Sequence, residues 1–329
     1  MRVAFYNTKP FDRQAFEGSA AFNRHQVRFL KPRLDRDTAE LAAGSDAVCL
    51  FVNDRADAAV LERLKALGVR HLALRCSGFN QVDLPTAKTM GMTVVRVPAY
   101  SPHAVAEHAA GLVLMLNRKL HRAYNRVRDG NFALDGLLGF DLHGKTVGII
   151  GTGRIGACAA RIFNGFGCTL VAHDPYRNPE VEALGATYTD IDTLLAQSDI
   201  ISLHAPLTAD NRHLINADRL TRFKRGAMLV NTSRGGLIDT AAAIDGLKSG
   251  QLGGLAIDVY EGEADLFFED RSQSIIQDDL FSRLLTFPNV VVTAHQAFFT
   301  REALANIAEI TLGNLSQLER GETCPNAVA

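Results

Sequence analysis

The run KTVGIIGTGRIG at residues 145–156 constrains this chain more than any other stretch. Thr146, Val147, Ile149 and Ile150 make a short apolar, partly β-branched run, and Gly151, Gly153 and Gly156 follow at the spacing G-x-G-x-x-G before an alanine-rich helical segment. The order is strand, turn, helix. The first glycine lets the chain reverse, the second removes a Cβ that would block a diphosphate, and the third lets helix and strand pack closely. The helix N-terminus then offers free N–H groups and a positive dipole end. By spacing alone this is either a structural βα turn or a dinucleotide-binding turn.

The sequence just beyond bears on that choice. Residues 168–172, CTLVA, read as the next strand, and Asp174 follows where such a turn wants an acid, about 20 residues on, to bond ribose hydroxyls. A carboxylate there would repel a 2′-phosphate, so NAD is expected rather than NADP, with Arg177 close by as the one opposing feature.

With 329 residues, 47% apolar and 22% charged, the chain has room for two globular domains and shows no bias toward disorder. Lys plus Arg number 35 against 36 for Asp plus Glu, so the net charge of −1 gives no electrostatic reason to expect nucleic acid or an anionic membrane as a partner. Arg118, Lys119, Arg122, Arg126 and Arg128 form a basic cluster at helical spacing, read as a solvated or subunit-facing helix side. The first residues carry no long apolar core, so no signal or transit peptide is expected. The most apolar helical stretch, 104–116, is interrupted by Glu107 and His108 and is shorter than the ~20 residues a bilayer requires. Cys49, Cys76, Cys158, Cys168 and Cys324 form no C-x-x-C pair and no zinc spacing, which suits reduced thiols in a cytoplasm.

Up to residue 99, apolar runs at 3–6, 27–30, 47–52, 72–74 and 94–97 alternate with helical patterns at 13–22, 38–43, 56–67 and 83–90. This βα series predicts a parallel sheet covered by helices. Its loop Cys76-Ser77-Gly78-Phe79-Asn80 falls at a strand's carboxyl end and reads either as a glycine turn or as backbone N–H groups presented to an anion. Pro98 and Pro102 punctuate the chain before a long helix over 103–120, where a domain crossing is expected. From 145 a second series follows, with strands at 145–150, 168–172, 200–203, 227–231, 254–259 and 290–293, a count of six that matches a dinucleotide-binding sheet.

Polar residues cluster where these later strands end. Hydride transfer to a carbonyl leaves an alkoxide, so chemistry beside a nicotinamide needs a proton donor and a cation to hold or polarise the substrate. Arg234, Glu263 and His295 stand just beyond three successive strands, which points to a hydride-transferring oxidoreductase.

The runs LVNTSRGGL (229–237), IDVYEGE (257–263) and VTAHQA (292–297) resemble the D-specific 2-hydroxyacid dehydrogenases, and VPAYSP (97–102) with LFFED (266–270) is most similar to their fermentative D-lactate dehydrogenase branch. The resemblance covers essentially the whole chain and departs at His173, which precedes Asp174 where relatives carry an aromatic or aliphatic residue. It implies an α/β protein of two doubly wound parallel sheets, a Rossmann-type NAD domain (100–298) inserted in a flavodoxin-like substrate domain (1–99 and 299–329), with hinges near 99–101 and 297–299. It implies Arg234 on the carboxylate and carbonyl of the substrate, His295 as general acid and base, and Glu263 paired with His295 to favour the charged ring. Ser77 and Gly78 would receive the carboxylate, with Tyr100 and Phe298 as pocket walls. For NAD it implies Gly151, Gly153, Arg154 and Ile155 at the diphosphate, Asp174 at the ribose, and Ala205, Pro206 and Asn211 along the adenosine. Thr232, Ser233, Arg234 and Asp258 would lie near the nicotinamide. The implied reaction is NADH-dependent reduction of pyruvate to D-lactate by a cytoplasmic homodimer or homotetramer. The alternatives are a dehydrogenase for another D-2-hydroxy acid, such as glycerate or the product of a branched oxoacid, or an NAD-sensing corepressor. The apolar side of the 104–120 helix is the implied dimer contact.

Overall fold

A computed structural model describes residues 1–329, with the side chain of Asp265 outside what it describes. Contacts divide the chain into two compact units, one formed by Met1–Ser101 and Phe299–Ala329 and the other by Pro102–Phe298.

In the first unit five short strands, β1 (Arg2–Phe5), β2 (Gln26–Phe29), β3 (Ala47–Leu50), β4 (His71–Leu74) and β5 (Thr93–Val95), pair in the order β2-β1-β3-β4-β5. Every pairing is parallel. The central strands are apolar along their whole length because helices cover both faces, and β3, AVCL, is buried throughout. The end of the chain returns to this unit. The helix Arg301–Glu319 takes a hydrogen bond between its Ser316 hydroxyl and the ring of His25, 2.9 Å apart, and the tail beyond it pairs with β5 through Val94 and Val328.

In the second unit β6 (Thr146–Ile150), β7 (Thr169–His173), β8 (Thr187–Tyr188), β9 (Ile200–Leu203), β10 (Ala227–Asn231), β11 (Leu252–Ile257) and β12 (Val290–Val292) form a parallel sheet in the order β12-β11-β10-β9-β6-β7-β8. The sheet has seven strands, where the pattern of apolar runs predicts six. The extra strand, β8, is only Thr187 and Tyr188 at the sheet's edge, too short to produce a run. In both sheets the strand order reverses beside the first strand of the series, between β1 and β3 in one and between β6 and β9 in the other, and ligands of open α/β sheets bind at such switch points.

The helix Pro102–Arg118 packs its apolar side into the second unit's core, where Ala106, Ala109, Leu112, Val113 and Leu116 are buried beside residues of the helix Arg154–Gly165. That apolar side, the implied dimer contact, is largely buried within the unit, with Leu114 and Met115 only partly so. The predicted single helix to residue 120 also ends early: Lys119 takes φ +50°, and a separate helix, Leu120–Arg128, follows with no buried residue.

Candidate active site

Most of the candidate residues lie on the carboxyl edge of the seven-stranded sheet. Beyond β6, Gly151 has φ +91°, and a Cβ there would stand 2.5 Å from the nitrogen of Ala205 at the end of β9. A Cβ on Gly156 would stand 1.9 Å from the carbonyl oxygen of Gly151. Gly153 faces open space instead and starts the helix Arg154–Gly165 with no side-chain cap. Two glycines thus serve close packing, and the third leaves room in front of uncapped N–H groups, with Arg154 and Ile155 in the first turn.

Asp174 follows β7. Its Oδ2 accepts the Thr152 N–H at 2.7 Å and its Oδ1 that of Tyr176 at 2.8 Å, so the carboxylate fixes the glycine turn while each oxygen keeps a further lone pair. Arg177 is held by Glu182 at 3.4 Å and lies over the Tyr188 ring. Beyond β9, the carbonyl of Ala205 accepts the Ser233 hydroxyl, and Asn211 closes its loop by donating to the Pro206 carbonyl at 2.7 Å. Two polar atoms on this edge, His204 Nδ1 and Thr232 Oγ1, are sealed from solvent without a protein partner. Burial pushes the His204 ring down to about 4, so it is neutral at pH 7. An open glycine turn, uncapped helix donors and orphaned polar atoms are a set that a dinucleotide would satisfy.

Farther along the edge, the Nδ1–H of His295 donates to Glu263 Oε1 at 2.8 Å, and Glu263 Oε2 accepts the Tyr260 N–H at 2.9 Å. The carboxylate is thereby aimed, and Nε2 is the ring atom left for a reacting group. The pair is half-buried, 17% and 20% exposed. The rings of Phe268 and Phe298 lie 5.7 and 6.5 Å from the imidazole and give it an apolar flank. Arg234 donates to the Ser233 carbonyl and forms no ion pair with a carboxylate among the described residues. Its loop is packed against the chain that leads to Glu263, because Gly235 leaves no room for a Cβ beside the Tyr260 carbonyl.

Asp258, expected near the nicotinamide, directly follows β11. It is fully buried: Oδ1 accepts the Thr293 hydroxyl at 2.6 Å and the Gln296 N–H at 2.8 Å, and Oδ2 accepts the Ala297 N–H at 2.9 Å. Burial alone would raise its pKa, yet hydrogen bonds from His108, Thr293 and the Ala297 backbone hold it below the ordinary carboxylate value. Its donors belong to the turn that carries His295. In that turn Ala294 and His295 take φ +51° and +58°, a left-handed conformation that costs roughly 1–3 kcal/mol per non-glycine residue.

In the first unit the 76–80 loop is tied down by its carbonyls. Arg96 donates to the Ser77 oxygen at 2.9 Å and the Cys76 thiol to that of Gly78. The Ser77 and Gly78 N–H groups donate to nothing among the described hydrogen bonds. Tyr100 belongs to this unit, where its carbonyl accepts the Asn306 amide at 2.6 Å. Among the described residues no cluster of His, Cys, Asp or Glu is arranged to hold a metal, and no helix is long and apolar enough to cross a membrane.

Residues 110–297 match the family model of the D-isomer specific 2-hydroxyacid dehydrogenase NAD binding domain. The chain belongs to that dehydrogenase family. It is 53% identical to the D-lactate dehydrogenase of Escherichia coli over 99% of each chain. Among solved structures, the D-lactate dehydrogenase of Salmonella is 54% identical with a TM-score of 0.87, covering 100% of both chains. The solved structure of the pyruvate reductase of Chlamydomonas reinhardtii is 47% identical with a TM-score of 0.93, covering 99% of this chain and 98% of that one. The chain is therefore an NAD-dependent oxidoreductase.

Three residues on this edge are hard to read from the sequence. Phe268 lay within a motif, LFFED, that carried likeness without a role, and Thr293 closed a strand. His108 was the readable one, a polar residue in an apolar helical run.

Proposed function

We propose that this chain reduces pyruvate to D-lactate with NADH, reversibly. The observation that carries the reading is the His295–Glu263 pair on the NAD sheet's edge, with Arg234 unpaired on the neighbouring strand end. When bound, NADH supplies a hydride to the carbonyl carbon of the substrate. The protein's own part is to bind, orient and move one proton. The planar fork of Arg234 suits a 2-oxoacid, holding a carboxylate oxygen and the carbonyl oxygen together and polarising the carbonyl. His295 gives its Nε2 proton to that oxygen as the alkoxide forms, and Glu263 stabilises the ring's positive charge beforehand through Nδ1. In oxidation the same nitrogen takes the hydroxyl proton. The first unit's part is the 76–80 loop, whose unengaged Ser77 and Gly78 N–H groups suit a carboxylate. In this reading Asp174 receives the ribose, Arg154 and Ile155 the diphosphate, and Phe268 and Phe298 keep water from the histidine and favour a small substrate side chain.

The test is loss of NADH absorbance with pyruvate, followed by chiral analysis of the product. D-Lactate is expected, and L-lactate or no turnover would overturn the reading. His295→Ala should lower kcat by about 10² to 10⁴ while NADH affinity stays nearly unchanged. Equal loss of cofactor binding would remove His295 from its acid–base role.

A second copy of the chain is the partner inferred, as a homodimer or homotetramer. Tyr124, Val127, Phe132, Leu134 and Leu138 are 52% to 88% exposed within one stretch of the chain, apolar side chains that a second copy could cover. Light scattering should give at least twice the monomer mass, and Tyr124→Glu should lower it.

A further inference from the structure

We propose that His108 is a positioning residue for the acid–base step: through Thr293 and Asp258 it locks the left-handed turn that presents His295. The proposal rests on the reading of His295 as the proton donor and adds what holds that ring in place. His108 lies on the helix Pro102–Arg118, far from His295 in sequence, and its side chain is 22% exposed.

The hydrogen bonds have one direction. The Thr293 hydroxyl has a single proton, which it gives to Asp258 Oδ1 at 2.6 Å. The contact between His108 Nε2 and Thr293 Oγ1, 3.0 Å, therefore needs the proton on Nε2, with the hydroxyl accepting. The same N–H lies 3.4 Å from Asp258 Oδ1. Imidazole, hydroxyl and carboxylate thus form a chain ending on a buried oxygen that also accepts the Gln296 N–H at 2.8 Å, while its twin accepts that of Ala297 at 2.9 Å. The backbone carbonyl of Asp258 accepts the His295 N–H as well. Three successive N–H groups, 295 to 297, are gathered on one residue.

That arrangement answers a physical need. Ala294 and His295 sit consecutively at positive φ, which side-chain-bearing residues leave unless surrounding bonds hold them there. Asp258 supplies the holding bonds. Asp258 in turn is buried, and without the His108 and Thr293 donors its carboxylate would be drawn toward other partners or toward protonation. A small rotation of the turn would swing the His295 ring off Glu263, 2.8 Å away, and misdirect Nε2.

The experiment compares wild type, His108→Ala, His108→Gln and Thr293→Val by two readouts, steady-state kinetics with pyruvate and amide hydrogen exchange of the segment 293–298. Gln places an amide donor near where Nε2 stands. His108→Ala should lower kcat by about 10- to 100-fold, since small misplacements of reacting groups carry losses of that order, with NADH affinity changed less than about twofold. Exchange of the segment should speed up by a similar factor. His108→Gln should recover most of both, and Thr293→Val should behave as His108→Ala. Wild-type exchange and kcat in His108→Ala would overturn the proposal, as would failure of Gln to restore either. Should His108→Ala not fold, Thr293→Val, which keeps the shape of the side chain, decides in the same terms. If wild type shows no turnover with pyruvate, the functional reading fails while the exchange comparison still judges the lock.

Discussion

The carboxyl edges of the two sheets solve opposite problems. In the second unit the edge is kept open: glycines bring β6, β9 and the following helix into contact, and the first turn of that helix has no side-chain cap. In the first unit the corresponding edge is sealed by charge. Arg75, 1% exposed, lies between the rings of Phe5 and Phe51 at 4.4 and 4.7 Å, donates to Asp12 at 3.1 Å and to the Asn7 carbonyl at 2.9 Å, and directly precedes the 76–80 loop. Asp54, also buried, accepts the Leu34 and Phe51 N–H groups. The polar groups of the first edge serve mainly as fasteners, and Asn7 Nδ2 and Oδ1 and Arg75 Nη1 are the atoms there that stay buried without a protein partner.

The largest effect should come from undoing a fastener. Asp12→Ala leaves the Arg75 guanidinium buried without its carboxylate, which costs about 3–5 kcal/mol when one partner of a buried pair is removed. Denaturant unfolding should show the first unit melting earlier while NADH affinity is kept. An unshifted transition would mean that the ion pair fastens nothing. The matching change on the open edge is Gly156→Ala. Its methyl would meet the Gly151 carbonyl at 1.9 Å, and displacing the turn by even part of an ångström should weaken NADH binding by about 10²-fold. Wild-type affinity would show that the turn yields cheaply and that the glycine is not needed for packing.

Two buried groups, one in each unit, respond to acid in opposite directions. Burial raises the Asp54 carboxyl from 3.8 to about 6, so its contribution to the first unit is present in full below the unfolded value and lost as pH rises through about 6. His204 is lowered from 6.5 to about 4, so its contribution to the second unit is present above 6.5 and lost as pH falls through about 4. Each shift corresponds to roughly 2 kcal/mol after allowance for partial screening. Between pH 6.5 and 4 the Asp54 contribution grows and that of His204 fades, while His25 and His71 of the first unit, both lowered by burial, work against Asp54; the protection of first-sheet strands from hydrogen exchange in wild type relative to Asp54→Asn should therefore rise as pH falls. His204→Gln should flatten the second trend alone. A difference between wild type and Asp54→Asn that does not rise as pH falls would break the comparison.

The two edges also differ in how much of them the sequence discloses. Gly151, Gly153 and Gly156 were legible because backbone geometry admits no other residue at two of the three places, so the constraint lies in adjacent positions. Strand ends were legible from apolar runs, which put Arg234, Glu263 and His295 on one edge before any distance was known. Side-chain fasteners were not. Asp12 and Arg75 lie 63 residues apart, and His108 and Thr293 185 apart, with nothing local to mark either pair. The break at Lys119 escaped for a different reason: basic and apolar residues continue at helical spacing across it, so periodicity carries no sign of the change in direction. Asp258 was placed on the right strand end, but its burial depends on three donors from another segment.

The smallest expected effect tests Asp174, where the open edge does use a fastener. Its carboxylate holds Thr152 and Tyr176 in place and, in the proposed reading, also receives the ribose and rejects a 2′-phosphate. Removing the side chain would mix these duties, whereas Asp174→Asn keeps an oxygen for one of the two N–H groups and removes the charge. The ratio of kcat/KM for NADH over NADPH should then fall about tenfold, equivalent to about 1.4 kcal/mol, through loss of repulsion. Asp174→Ala should lower that ratio similarly and in addition weaken NADH, because the turn loses its anchor. Arg177 gives the 2′-phosphate little help in either variant while Glu182 holds it. A ratio unchanged in Asp174→Asn would confine Asp174 to fastening the turn, and the open edge would then resemble the sealed one at this position.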